Sequence, residues 1–178
     1  MMRIKNRLKS SDGLTLVELL ATLVLLTIIG AITYSVLFNG INTYKRVMEE
    51  TKLRDEADYI MANFIDEFYV MKASEIDEEL TKIPDSNNNY YLYVKNLGKT
   101  GFYDGKVYID NKELSFLHTD TILTSESKIE EMNGSSVDYK ITLVLQSNKT
   151  KQKLVLESSV SIINDKGEKG GNNGATTK

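Results

Sequence analysis

The sequence LTLVELLATLVLLTIIGAITYSVLF, residues 14–38, is the most apolar part of the chain, and Glu18 is its only charged residue. As an α-helix with a rise of about 1.5 Å per residue, this segment would be roughly 37 Å long. The hydrocarbon core of a bilayer is about 30 Å thick, so the segment is long enough to cross it. Residues 14–38 therefore predict a membrane-spanning helix in the lipid bilayer.

Residues 1–13, which precede this segment, form a basic leader. Its cationic side chains outnumber its single acidic one, Asp12, and they are Arg3, Lys5, Arg7 and Lys9. Basic residues that flank a membrane span stay on the cytoplasmic side. The pattern therefore predicts a single-pass protein of the cytoplasmic membrane, with its N-terminus in the cytoplasm and its C-terminal domain outside. The span is longer than the apolar core of an ordinary signal peptide, and no small-residue cleavage site follows it.

Charge and composition argue against several kinds of site. The residues after Gly13 include 18 basic and 24 acidic side chains, so this part is acidic and direct nucleic-acid binding is not supported. The chain has no cysteine, which excludes disulfides and thiolate metal sites. No phosphate-binding loop, dinucleotide fingerprint or nucleophile motif is present. We therefore expect no cofactor, no metal and no enzymatic activity.

The helix is predicted to continue beyond the membrane span through residues 39–72, which contain no proline. Apolar residues recur there at the three- and four-residue spacing of one helix face. These residues are Leu53, Ala57, Ile60, Phe64, Phe68 and Met71, and Ile41, Tyr44 and Met48 begin the same stripe. One helix over residues 14–72 would be about 88 Å long. Its continuity at Gly30 and Gly40 is left open, because glycine weakens a helix.

Residues 73–163 have the pattern of a β domain that covers the apolar stripe. Short aromatic and β-branched runs separated by turn residues predict strands. They lie at residues 90–95, 106–110, 113–118, 127–132, 137–146 and 153–163. Residues 164–178 are rich in Gly, Asn, Lys and Thr without periodicity, which predicts a disordered tail. The predicted fold class is therefore α+β, one long N-terminal helix packed against an antiparallel β-sheet.

The sequence GLTLVELL at residues 13–20, behind its basic leader, closely resembles the class III signal of type IV prepilins and pseudopilins. The resemblance implies that a prepilin peptidase cleaves between Gly13 and Leu14, and that the new amine of Leu14 is N-methylated. It also implies a pilin-like fold and assembly with other pilin-like subunits through the N-terminal helix. The motif covers only the start of the chain.

A looser resemblance extends to the remainder. The sequence LRDEADYIM at residues 53–61 looks like the corresponding helix of minor pseudopilins of competence and type II secretion systems. The ending VSIIN at residues 160–164 is similar to theirs as well. Many major pilins carry a proline in the membrane helix, and this chain has none before Pro84. The resemblance therefore favours a minor subunit of a filament that serves DNA uptake, type II secretion or adhesion, and the machine and the position in the filament stay open.

Glu18 has two compatible interpretations. A carboxylate at membrane depth costs about 2.5–3.5 kcal/mol on insertion scales, so its presence requires a compensating interaction. Thr15 and Glu18 have the spacing of a capping box, in which the two side chains satisfy the first N–H groups of a helix. In the pilin interpretation, Glu18 of one subunit also pairs with the positive Leu14 amine of its neighbour and thereby selects the axial register between subunits.

Other candidate sites have a simpler explanation. His118 is the only histidine, and its neighbours lack metal or catalytic-triad spacing, so we interpret it as a strand residue. Residues 85–89, DSNNN, resemble the start of a calcium loop but lack the glycine and glutamate that follow in such loops, so a turn is favoured. An alternative function is that of an uncleaved, signal-anchored sensor or adhesin, which would retain residues 1–13.

Overall fold

The computed structural model describes residues 15–132 and 134–166 of the chain. The predicted leader, Leu14 and all of the predicted tail after Lys166 lie outside the described residues. The chain divides between Arg46 and Val47 into two units, each of which is described by itself below. A single helix contributes to both units.

This helix, α1, covers Leu16–Val70 and contains 55 residues. It passes through Gly30 and Gly40 without a break, and a Cβ atom placed on either glycine would meet nothing within 4 Å. The absence of proline allows every backbone N–H of the helix interior to reach the carbonyl four residues earlier. The prediction of one long N-terminal helix is confirmed, and the helix is continuous at both glycines.

Five residues of the predicted apolar stripe lie on the buried face of the C-terminal half of α1, and the sixth, Met71, directly follows the helix. The six residues of the stripe are at most 2% exposed: Leu53, Ala57, Ile60, Phe64, Phe68 and Met71. The N-terminal extension of the stripe is not buried, because Ile41, Tyr44 and Met48 are 45%, 64% and 44% exposed. The buried part of the stripe therefore begins at Leu53. The apolar residues that precede Leu53 at helical spacing are not covered by the β domain.

The first sheet is an antiparallel meander of four strands in chain order. The strands are β1 (Tyr90–Val94), β2 (Gly98–Tyr103), β3 (Lys106–Ile109) and β4 (Lys112–Glu113). Asp110 and Asn111 connect β3 to β4 and both have positive φ, at 51° and 62°, as two-residue hairpin turns require. The turn lies one residue earlier than residues 111–112, which separate the two strands predicted at residues 106–110 and 113–118.

The second sheet is built around its longest strand and is also antiparallel. Its strands are β5 (Thr121–Leu123), β6 (Lys128–Glu131), β7 (Asp138–Ser147) and β8 (Lys153–Ser161). β8 pairs along nearly all of β7, while β5 and β6 share the opposite edge of β7. The structure thus has two antiparallel sheets where one was predicted, and the α+β class stands.

Both sheets contribute to one apolar core with α1. Phe64 meets Phe102 of the first sheet edge to face at 5.3 Å, and Phe68 meets Tyr139 of the second sheet at 5.8 Å. Aromatic pairs in this geometry stabilise a core beyond their buried area. The helix is therefore the element that joins the two sheets into one core.

Backbone hydrogen bonds fasten the chain after β8 to the end of the helix. The N–H of Ile163 donates to the Met71 carbonyl at 2.9 Å, and the N–H of Ala73 donates to the Ile163 carbonyl at 2.9 Å. The Asp165 carboxylate accepts the N–H of Ser74 at 2.8 Å. These bonds tie the segment that follows α1 to the segment that follows β8.

Candidate functional site

The candidate processing and assembly site was predicted at Gly13, Leu14 and Glu18. Gly13 and Leu14 lie outside the described residues, so cleavage and N-methylation stay predictions. The described part of the site begins at Thr15, directly before the first residue of α1.

Thr15 and Glu18 form the predicted capping box. Glu18 Oε2 accepts the Thr15 backbone N–H and the Thr15 hydroxyl, both at 2.9 Å. In return, the Glu18 backbone N–H donates to Thr15 Oγ1 at 3.3 Å. These reciprocal bonds satisfy donors at the start of the helix. All contacts of the Glu18 carboxylate in the box use Oε2, so the cap does not require Oε1.

The segment that follows Glu18 is exposed along its whole apolar length. Its large side chains are between 48% and 80% exposed from Leu16 to Phe38. This part of α1 is long and apolar enough to cross a membrane, and none of its most apolar window is buried. Exposed apolar area of this extent does not suit contact with water. The geometry is compatible with single-pass anchoring in a membrane.

Threonine hydroxyls within this segment are satisfied by the helix itself. Thr22 donates to the Leu19 carbonyl at 2.8 Å, and Thr27 donates to the Val24 carbonyl at 2.7 Å. Thr33 repeats the pattern further along the helix, at 2.9 Å from its acceptor. A hydroxyl that is already bonded can enter hydrocarbon without an unpaired polar group. These three threonines are therefore suited to an apolar environment.

The sequence did not identify Glu56, which is completely buried in the helix face that carries the stripe. Its carboxylate accepts the backbone N–H of Leu117 at 3.0 Å and that of His118 at 2.8 Å. His118 Nδ1 lies 3.3 Å from Glu56 Oε2. One sequence signal could have placed Glu56 on the buried face: it lies three residues after Leu53 and four residues before Ile60.

His118 is not the strand residue that we expected. It lies in the loop between β4 and β5, where Glu56 holds its backbone, and its side chain is 31% exposed. A cleft of about 340 Å³ beside it is lined by polar and apolar side chains, and the apolar ones are those of Val107, Leu114 and Phe116. His118 and Glu56 thus anchor a loop onto the helix.

The loop at residues 85–89 has the geometry of a turn. Asp85 Oδ1 accepts the backbone N–H groups of Asn87 and Asn89, both at 2.8 Å, and Oδ2 accepts the Asn89 side-chain amide at 2.8 Å. The Asn89 amide is the largest cause that holds the pKa of Asp85 below its usual value. Within residues 15–132 and 134–166, no group of three or more histidine or acidic side chains could hold a metal ion.

A cleft of about 410 Å³ in the described β domain lies beside this turn. Amide and hydroxyl groups line it, but the main ones already have partners within the protein. Asn89 Oδ1 accepts the Asp104 N–H at 2.8 Å, and the Ser127 hydroxyl both donates to and accepts from the backbone of Val144. The polar lining therefore stabilises the loops around the cleft.

No protein-family model, no curated protein and no solved structure matches the chain. Its function is therefore inferred from the chemistry of its N-terminal segment and from the fold that carries this segment.

Proposed function

We propose that the chain is a minor pilin-like structural subunit. A prepilin peptidase removes residues 1–13, the Leu14 amine is methylated, and the N-terminal helix assembles with other pilin-like subunits into a type IV pilus-like filament. The filament serves DNA uptake, type II secretion or adhesion. Before assembly, the protein is anchored in the cytoplasmic membrane with its β domain outside the cytoplasm.

Glu18 is the observation that carries the proposal. It is a carboxylate in the first turn of an apolar helix segment whose side chains are exposed. Thr15 supplies it with hydrogen bonds but with no positive charge. Cleavage after Gly13 creates a positive amine on Leu14, and such an amine on a neighbouring subunit offsets the charge of Glu18 in a low-dielectric bundle. A slipped register leaves both charges unpaired, so the pair favours one axial offset between subunits.

The difference in burial between the two halves of α1 also supports the proposal. Residues 16–38 bury nothing within the chain, while residues 53–68 supply the helix face of the core of the β domain. A subunit whose apolar helix can leave the bilayer and pack against sister helices requires this arrangement. Small residues such as Ala21, Gly30 and Ala31 allow close approach of neighbouring helices.

Processing is tested by the N-terminal mass of the full chain, extracted from membranes after expression with a prepilin peptidase. We expect a chain that starts at methylated Leu14. Gly13→Val should block cleavage, because a side chain at this position obstructs the approach of the peptidase to the backbone. Gly30→Ala is the matched control and should be cleaved normally, since its Cβ meets nothing within 4 Å. A wild-type chain that still starts at Met1 or Met2 would contradict the proposal and favour the uncleaved, signal-anchored sensor or adhesin.

The role of Glu18 is tested with two variants, one that removes its negative charge and one that weakens the helix cap. Glu18→Gln keeps a capping side chain but removes the charge, whereas Thr15→Val removes the hydroxyl of the cap and keeps the charge. We expect both variants to be cleaved, and only Glu18→Gln to be lost from sheared filaments, by at least about tenfold, as one unpaired buried charge implies. The measurement is the ratio of the protein in the filament fraction to that in the membrane fraction. Loss of Thr15→Val with retention of Glu18→Gln would assign Glu18 to capping alone.

A further inference from the structure

The cleft of about 410 Å³ described above, here called the polar cleft, lies where three loops of the β domain meet. These loops are residues 87–89, the turn between β2 and β3, and residues 123–127 at the end of β5. The volume of the cleft lies in the range of small-molecule sites, which is about 300–1,000 Å³. Because the three loops are distant in the sequence, only the folded domain creates this cleft.

Hydrogen bonds within the protein hold the three loops in place. Asn89 Oδ1 accepts the Asp104 N–H at 2.8 Å, which ties the first loop to the second. The Thr124 N–H donates to the Val144 carbonyl at 3.0 Å, which ties the third loop to β7. A site whose walls are fixed in advance loses less conformational entropy when a ligand binds. The polar cleft is therefore preorganised for binding.

Polar side chains at the rim of the polar cleft are left over from these bonds. Four of them are exposed, those of Asn87, Asn88, Asp104 and Ser125. The bonds that hold the loops use the backbone N–H groups of Asn87, Asn88 and Asp104 and not their side chains. The two amides and the hydroxyl each donate and accept hydrogen bonds, while the carboxylate accepts them. This set matches a ligand with several hydroxyl groups, because each hydroxyl also donates and accepts.

The charge of the polar cleft disfavours anionic ligands. Asp104 lines it, and none of the described residues that line it is a lysine, arginine or histidine. A phosphate or a carboxylate in this position would face a like charge without a compensating cation. A ligand hydroxyl that donates to the Asp104 carboxylate instead makes a charge-assisted hydrogen bond, which is stronger than one between neutral groups. The ligand that fits is therefore neutral.

Apolar side chains complete the lining of the polar cleft. Tyr103 and Leu123 are both half-buried and line it together with the polar groups. Small-molecule sites combine apolar surface with a few polar groups that fix the orientation of the ligand. A sugar ring has both kinds of surface, since its C–H groups are apolar and its hydroxyls are polar.

We propose that the polar cleft binds a neutral sugar. Asp104 accepts hydrogen bonds from ring hydroxyls, Ser125 and the two asparagines bond further hydroxyls, and the apolar lining meets the C–H groups of the ring. This binding activity goes beyond the structural role proposed above and does not rest on it.

The test is saturation-transfer-difference NMR of the full chain, solubilised in a detergent whose head group is not a sugar. The probes are glucose, galactose, mannose and N-acetylglucosamine, with glucuronate as the anionic counterpart of glucose. We expect at least one neutral sugar to bind with a Kd on the order of 1 mM, the weak affinity of an open site with few hydrogen bonds. Glucuronate should bind at least about tenfold more weakly than the neutral sugars that bind.

Three variants locate the bound sugar. Asp104→Asn removes the charged acceptor, and asparagine tolerates the φ of 50° at this position, so binding should weaken at least about fivefold. Ser125→Ala should weaken binding by about three- to tenfold through the loss of one hydrogen bond. Ser159→Ala, an equally exposed serine on β8, is the matched control and should bind as the wild type does.

Absence of binding by all four neutral sugars at concentrations of tens of millimolar would overturn the proposal. Equal binding of glucuronate would exclude the proposed ligand class, and equal weakening in Ser159→Ala would place any bound sugar elsewhere. If Asp104→Asn does not fold, Ser125→Ala decides the location alone. None of these results depends on cleavage or filament assembly, so failure of this inference leaves the proposed function intact.

Discussion

At the scale of single residues, Glu56 connects the helix to the loop between β4 and β5. Its buried carboxylate accepts two backbone N–H groups, those of Leu117 and His118. Hydrogen bonds to a charged acceptor are stronger than those between neutral groups. The carboxylate thus replaces the neighbouring strand that these N–H groups would need if the segment were part of a sheet.

Replacement of Glu56 should therefore be among the most destabilising single changes in the β domain. We expect Glu56→Leu to lower the free energy of unfolding by about 2–4 kcal/mol, because two part-buried N–H groups lose their charged acceptor. Urea unfolding of the detergent-solubilised chain measures this quantity. Asp55→Asn, the exposed neighbouring position, should change it by less than about 0.5 kcal/mol. Equal effects of the two variants would contradict the assigned role of Glu56.

Contacts between residues that are close in the sequence could be predicted from their spacing, whereas contacts between distant residues could not. The capping partners Thr15 and Glu18 have a fixed local spacing, so the sequence alone predicted their bonds. Glu56 and His118 meet across 62 residues, and no local signal encodes that distance.

At the scale of elements, the buried stripe of α1 shows how much a helix period can specify. A spacing of three and four residues places side chains on one face. All the predicted positions are buried, and Glu56 and Met61 are buried beside them. Tyr69, which lies outside the stripe, is 63% exposed. The stripe could be predicted because it depends only on the geometry of one helix.

Phe64 is the position where the stripe contributes most to the core. It is fully buried and meets Phe68 at 6.3 Å and Phe102 at 5.3 Å. We expect Phe64→Ala to lower the free energy of unfolding by about 3–5 kcal/mol, through lost burial and the cavity left behind. The exposed Tyr69→Ala should cost less than about 1 kcal/mol in the same urea titration. A small effect at Phe64 would show that the helix does not organise this core.

The strands were harder to predict because their partners supply much of their stability. β2, GKTGFY, was missed since two glycines and a lysine are typical of a turn. Gly101 is nevertheless required inside the strand: its φ is 146°, and a Cβ atom there would collide with the backbone of Tyr90 and Tyr91. β5 was missed because it has only three residues.

The strand predicted at residues 113–118 was wrong beyond its first residue. β4 ends at Glu113, and the Leu114 N–H makes one further bond, to the Val107 carbonyl at 2.9 Å. The backbone N–H groups of Leu117 and His118 donate to the Glu56 carboxylate instead of to a neighbouring strand. A helix side chain thus competes with the sheet for the same donors, and sequence periodicity cannot show this competition.

At the scale of the whole molecule, the core is confined to one of the two units. Every buried apolar residue of the described chain lies at or after Leu53, and Val47–Lys178 is a compact unit. The fold class could be predicted from the sequence because composition and period change between the helix and the β domain. The division of the strands into two sheets could not, because it depends on long-range pairing with β7.

The unit Val47–Lys178 should therefore fold without the apolar segment. We expect the tyrosine near-ultraviolet circular dichroism of this fragment to match that of the full chain in detergent. A shorter fragment, residues 57–178, lacks Leu53 and Glu56 and should be less stable by about 4–6 kcal/mol in urea. Equal stability of the two fragments would show that the first turns of the buried stripe contribute little.

The contact between Glu56 and the loop at Leu117 has a consequence for the order of folding. It closes across 61 residues, so it can form only after the helix and the strands between the two partners have reduced the entropy of that closure. Interactions that form late are largely absent from the transition state. We therefore expect loss of the Glu56 carboxylate to accelerate unfolding while leaving the refolding rate nearly unchanged. The residue would then determine how long the native domain persists, rather than how quickly it is reached.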